Sequence, residues 1–152
     1  MGIVTAGAAF LADFLAKDYV NDHILQGEEV PAPVGPIYLE NVHTNKILLG
    51  TVEADSKAEE TLTSLFMGGL SVFFLLMLGS RAKKLRKAGA SLLFGGALNN
   101  YLERRRKGYV TKYIGIRGLT GKDGKGSLNL SDLMMVLGAV LCLLPLLGRK
   151  KK

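Results

Sequence analysis

The amino-acid sequence predicts a mainly α membrane protein, with four transmembrane helices and a small extracytoplasmic β-sheet. Three observations carry this prediction. Apolar residues form 48% of the 152-residue chain and are gathered into blocks, with a mean hydropathy of +0.22, a pattern of spans and not of a scattered globular core. The lysines and arginines behind the net charge of +7 cluster just outside those blocks, at Arg81 to Lys87, Arg104 to Lys107 and Arg149 to Lys152. They do not line a polar face interleaved with aromatics, so the charge anchors helices at an interface and argues against nucleic acid as a partner. Between the first two blocks lies a polar, acidic stretch with prolines and β-prone runs, which reads as a surface sheet. The chain is read as one integral membrane domain, 1–152, with spans at about 1–20, 63–80, 88–103 and 129–147 and a surface loop at 21–62.

Met1 to Ala16 is apolar or small except for Asp13, and no small-x-small cleavage site follows a basic start, so a removable signal peptide is not expected. Because a bilayer core takes about 20 helical residues, the span should run on through Tyr19 and Val20. Asp13 and Lys17 stand at the (i, i+4) spacing that lets a carboxylate and a lysine pair. Alone, that is also what a boundary ion pair with a snorkelling lysine looks like. From Asn21 to Thr61, Pro31, Pro33 and Pro36 mark irregular chain, and Ile37 to Val42 and Lys46 to Val52 are strand candidates. His23 and His43 lack metal-site spacing and read as solvated loop histidines, and no metal or cofactor is expected. The single cysteine, Cys142, lies in an apolar run and offers no disulfide.

Ser56-Lys-Ala-Glu59 fits a capping box that starts the next helix, whose apolar run, Leu65 to Ser80, is the strongest span. Arg81 to Lys87 then forms a cluster that stays cytoplasmic. The following span, Ala88 to Leu102, carries Gly89, Ala90, Ser91, Gly95, Gly96 and Ala97, which suit close helix packing in lipid. Arg104 to Gly126 is read as a basic loop, and its Gly-Lys-Asp-Gly-Lys-Gly run lacks phosphate-loop spacing. Leu133 to Leu147 is the last span. Holding both basic clusters inside gives four spans with cytoplasmic termini and leaves the Arg104 loop outside.

Polar residues concentrate between Gly95 and Asp132. A helix there sets Asn100, Glu103 and Arg104 on one face, and Asn129 to Asp132 has the spacing of a helix cap. This stretch resembles the lipoprotein signal peptidases, signal peptidase II, whose pattern reads Gly-Gly-x-x-Gly-Asn-x-x-Asp-Arg, Gly-x-Val-x-Asp-Phe and Phe-Asn-x-Ala-Asp. Gly95, Gly96, Asn100, Arg104, Gly108, Val110, Asn129 and Asp132 match, and Asp13-x-x-x-Lys17 matches the family's first motif. Asn99 stands for glycine, Glu103 for aspartate, Lys112 for aspartate, Tyr113 and Leu128 for phenylalanine, and Ser131 for alanine. An Asn-x-Gly-Ala-Ala motif of the family's substrate cradle is absent near His43 to Leu48.

The resemblance implies an aspartic endopeptidase of the bacterial cytoplasmic (inner) membrane, multi-pass, cutting before the lipid-modified cysteine of prolipoproteins. It assigns catalysis to Asp132 and to the position held by Lys112, with Asp13, Lys17, Asn100, Glu103, Arg104 and Asn129 supporting the site or contacting substrate. Two carboxylates sharing a proton can activate a water, and Lys112 would supply a cation to that pair. Glu103 or Asp123 as a replacement carboxylate, or Ser131 with a neutral Lys112 as a Ser-Lys pair, are the remaining catalytic options. The sequence therefore points to a divergent member that binds or acts on lipidated prolipoprotein signal peptides, with weak or absent activity. The alternative is a non-catalytic membrane module for a partner helix or anionic lipid.

Overall fold

In the computed structural model, residues 2–32, 35–44, 56–118 and 125–147 are described. Among them, helix α3 (Lys84–Lys107) is the hub, packing against α1 (Gly2–His23), α2 (Ser56–Gly79) and α4 (Leu130–Leu147). The reason is side-chain size. Gly89, Ala90, Ser91, Gly95, Gly96 and Ala97 are all buried, and they let neighbouring backbones come within contact distance. A Cβ placed on Gly96 would stand 2.8 Å from the Ser131 carbonyl oxygen on α4, and one on Gly89 would stand 2.7 Å from that of Gly138. On the other side, Gly95 lies against the Ala6 carbonyl of α1.

The bundle buries apolar clusters and a polar group within and turns an apolar surface outward. On α1 the buried residues are Ala6, Ala9, Asp13, Lys17 and Val20, a stripe at helical spacing that includes both charges. Ile3, Val4, Leu11 and Leu15 face outward. Helix α2 buries Met67, Leu70 and Phe74 on α3, where Phe74 stacks on Phe94 at 4.5 Å. Its Leu65, Phe66, Val72, Leu75 and Leu76 remain exposed. Glu60–Gly79 is long and apolar enough to cross a membrane, with a mean hydropathy of 2.0. Among the described residues it alone meets that test; the apolar part of α4, Leu130–Leu144, is shorter.

Strands β1 (Glu29–Pro31), β2 (Ile37–Thr44), β3 (Val110–Arg117) and β4 (Lys125–Leu128) form an antiparallel sheet in that order. The strand expected at Ile37 to Val42 is β2. The one expected at Lys46 to Val52 lies outside the described residues, and β3 and β4 correct the reading of Arg104 to Gly126 as loop. The basic residues drew that reading, although Val110, Thr111, Tyr113, Ile114 and Ile116 are strong strand formers. The sheet rests on the end of α1 through Val20, Ile24, Leu39, Tyr113 and Ile114. Arg104 to Lys107 likewise continue α3 instead of opening a loop, and cations are favourable at the helix C-terminus. The helix stops at Gly108, whose φ of 78° only glycine adopts freely, with its N–H bonded to the Arg104 carbonyl at 2.9 Å. This turn delivers β3 back beneath α1.

Glycine packing yields a paired test. Gly96→Val should cost about 1–3 kcal/mol by forcing α3 from α4, whereas Gly69→Ala on α2, with nothing within 4 Å, should leave stability unchanged or raised. Thermal unfolding in detergent distinguishes the two, and equal midpoints would contradict glycine-limited packing.

Candidate functional site

At the sheet end of the bundle, the Lys17 ammonium is only 3% exposed. Four side-chain oxygens surround it: Asp13 Oδ2 at 2.8 Å, Glu103 Oε2 at 2.9 Å, Asn100 Oδ1 at 2.7 Å and Asn99 Oδ1 at 3.2 Å. Pairing with Asp13 agrees with the (i, i+4) spacing, but the lysine points into the bundle and does not snorkel. A buried charge needs partners on every side, and α3 supplies three of them.

Each of those partners is held in turn. Asp13, fully buried, accepts the hydroxyls of Tyr113 at 2.8 Å and Ser131 at 2.5 Å. Burial first, and then the Asp13 charge, raise the Tyr113 phenol well above its ordinary range, so it remains a donor. Glu103 accepts both the hydroxyl (2.7 Å) and the amide (3.2 Å) of Thr111, and Lys107 approaches it at 3.4 Å. Asn99 also donates to the Phe10 carbonyl at 2.7 Å.

Asn100 joins this cluster to Asp132. Its amide nitrogen donates to Asp132 Oδ1 at 3.1 Å while its oxygen accepts from Asn129 at 3.0 Å. Asn129 and Asp132 cap α4 reciprocally: the Asp132 amide donates to Asn129 Oδ1 at 2.8 Å, and the Asn129 amide donates to Asp132 Oδ2 at 3.3 Å. Asn129 also bonds the Thr111 carbonyl at 3.1 Å, tying the cap to β3. Lys112 Nζ lies 3.4 Å from Asp132 Oδ2, with both side chains largely shielded. Arg104 lies within electrostatic range of the same carboxylate. Both Asp132 oxygens are thereby engaged.

The structure thus brings Asp13, Lys17, Asn100, Glu103, Arg104, Lys112, Asn129 and Asp132 into one connected group. Ser131 and Lys112 do not form a pair, because the serine hydroxyl is committed to Asp13. Glu103 is held by Lys17 and Thr111, and Asp123 lies outside the described residues. Tyr113, Thr111 and Asn99 are site residues that the sequence does not single out, and Ser131, a candidate only as a partner of Lys112, belongs instead to Asp13. The available signal was that Asn99, Glu103, Tyr113 and Ser131 all depart from the family pattern, and all four bond to Lys17 or Asp13. Among the described residues, no cluster of His, Cys, Asp and Glu is placed to hold a metal ion.

His43 is not a solvated loop histidine. It sits on β2, stacks on Tyr109 at 3.9 Å and bonds Asn21 at 3.1 Å. Burial, and then the positive charge of Lys107, lower its imidazole below the ordinary 6.5. Since the folded state disfavours the charged form, this contribution to stability is complete above the ordinary value and declines as pH falls through it. His43→Gln should flatten the unfolding midpoint between about pH 5 and 7; an unaltered slope would show that another group titrates. Lys17→Met should cost about 3–5 kcal/mol, because it strands the buried Asp13 without a cation and leaves Glu103 only Lys107. Chemical denaturation in detergent measures that loss, and a change under 1 kcal/mol, the scale of an exposed pair, would contradict a buried network.

Comparison with known proteins agrees with this fold. Two solved structures, each described as a bacterial membrane enzyme determined by the in meso method, share the fold. One, at 2.3 Å resolution, has a TM-score of 0.80 and 22% identity, covering 99% of this chain and 92% of its own. The other, at 1.9 Å, has a TM-score of 0.78 and 21% identity, covering 98% and 94%. No curated protein sequence matches the chain. A family profile described as signal peptidase (SPase) II matches residues 5–147, and the chain therefore belongs to the signal peptidase II family.

Proposed function

We propose that this chain is a divergent signal peptidase II that holds the signal peptide of lipidated prolipoproteins in the bacterial cytoplasmic membrane and cleaves it weakly or not at all. The reading carries four spans with both termini cytoplasmic and the sheet outside. It is supported by the outward apolar faces of α1, α2 and α4 and by the basic residues that begin α3.

One contact carries the catalytic part: Lys112 Nζ stands 3.4 Å from Asp132 Oδ2. Attack on a peptide bond by a carboxylate pair needs one ionised partner to take a proton from water and one protonated partner to polarise the carbonyl. An ammonium at the second position can donate hydrogen bonds but cannot exchange both roles with Asp132. It also occupies the carboxylate oxygen that would hold the water. Glu103 is no substitute, since Lys17 and Thr111 already engage both its oxygens. The Asn100, Asn129 and Arg104 groups that resemble the family's site support remain beside Asp132, so binding outlasts chemistry in this reading.

Cleavage of a lipidated precursor tests the proposal. The native protein should cleave poorly while retaining the precursor, and Lys112→Asp should raise the rate by restoring the second carboxylate. The gain should fall short of a full site, because an error of about an ångström costs roughly a hundredfold. Efficient native cleavage that Asp132→Asn abolishes and Lys112→Asp does not improve would overturn the reading.

A further inference from the structure

Between α1 and α3 lies a cleft of about 280 Å³ whose floor is formed by Lys17, Asn99 and Glu103 of the polar cluster. Its α3 wall includes Leu102 and Arg106, which follow Asn100 and Arg104 by two residues respectively, and Asn100 and Arg104 face Asp132. Two residues turn an α-helix by more than half a revolution, so Leu102 and Arg106 look away from Asp132, while Glu103 and Lys107 lie between the two faces. The volume is just under the roughly 300–1,000 Å³ of small-molecule sites, enough for a headgroup and not for a whole lipid.

The lining is graded along the helix axes. Phe10 and Phe14, stacked at 6.1 Å, and Leu102 form the apolar part. Asp18, Arg106 and Lys107 stand at the sheet end. Below them, the Lys17 ammonium is shared between Glu103 and Asp13, so the floor offers no free cation. Asp18 and Arg106 are exposed and make no hydrogen bond or ion pair among the described residues. Lys107 is divided between Glu103 at 3.4 Å and the Tyr109 ring at 5.8 Å.

We propose that this cleft binds a zwitterionic phospholipid with a primary-amine headgroup. Arg106, with its forked donors, and Lys107 take the phosphate diester. Asp18 accepts N–H bonds from the ammonium, and the acyl chains run over Phe10, Phe14 and Leu102. The carboxylate decides the class. A purely anionic headgroup would meet Asp18 as a like charge, and a quaternary choline has no N–H to give it. This inference rests on the membrane placement proposed above and is independent of catalysis.

Purified full-length protein, washed free of lipid in detergent, can be titrated with short-chain phosphatidylethanolamine, phosphatidylglycerol and phosphatidylcholine, counting bound lipids by native mass spectrometry. One phosphatidylethanolamine should be retained in preference to the others. Arg106→Gln should lower that retention about fivefold, and Asp18→Asn should abolish the preference over phosphatidylglycerol. Arg105→Gln, which instead removes the partner of Glu60 on α2, should change neither. Equal retention of all three lipids, a native preference for phosphatidylglycerol, or retention indifferent to both cleft variants would each overturn the assignment. A chain that purifies from the aqueous fraction without detergent would fail the membrane placement itself, whereas a detergent-dependent chain without headgroup preference fails the cleft alone.

Discussion

An ammonium group buried at the sheet end of the helix bundle is the constraint that most of this structure answers. Lys17 reaches Asp13 along its own helix and Glu103, Asn100 and Asn99 across the interface. Removing any oxygen would leave a buried charge short of a partner. The need for close approach explains the glycines: Gly95 brings the α3 backbone against α1, and Gly96 brings it against α4. Sheet and helices are joined by the same group, since Tyr113 and Thr111 of β3 complete Asp13 and Glu103.

The departures from the family pattern become intelligible as a set around that centre. Asn99, Glu103, Tyr113 and Ser131 each add or reposition a polar atom that bonds Lys17 or Asp13. A hydroxyl at Ser131 or Tyr113 in an apolar site would be costly without an acceptor, and Asp13 offers one to each. Lys112 is different in kind. It bonds none of these groups and instead faces Asp132, so the chemistry at α4 is altered separately from the polar centre that holds α1, α3 and β3 together.

The distribution of surface is as informative as the polar core. Buried positions of α1 include Asp13 and Lys17, while large aliphatic residues face outward on α1, α2 and α4. Water would make that arrangement unfavourable, and a hydrocarbon surrounding makes it natural. Around α3, Asn100 is directed towards Asp132 and Arg106 lines the α1 cleft.

By itself the sequence determined the mainly helical class, the approximate placement of the helices, the Asp13–Lys17 pair and the membership of Asn100, Glu103, Arg104, Asn129 and Asp132 in one group. The helices and the pair rest on local signals, apolar block length and (i, i+4) spacing, whereas the group rests on the resemblance of three separate motifs to the signal peptidase II pattern. Tertiary structure alone decided that Lys17 turns inward to Glu103, that Ser131 serves Asp13 and not Lys112, and that half the sheet comes from 110–128. Each depends on residues 80 or more positions apart, or on charge in a strand masking its β-forming residues. A burial direction is set by which neighbour arrives with an oxygen, and periodicity along one segment carries no information about that.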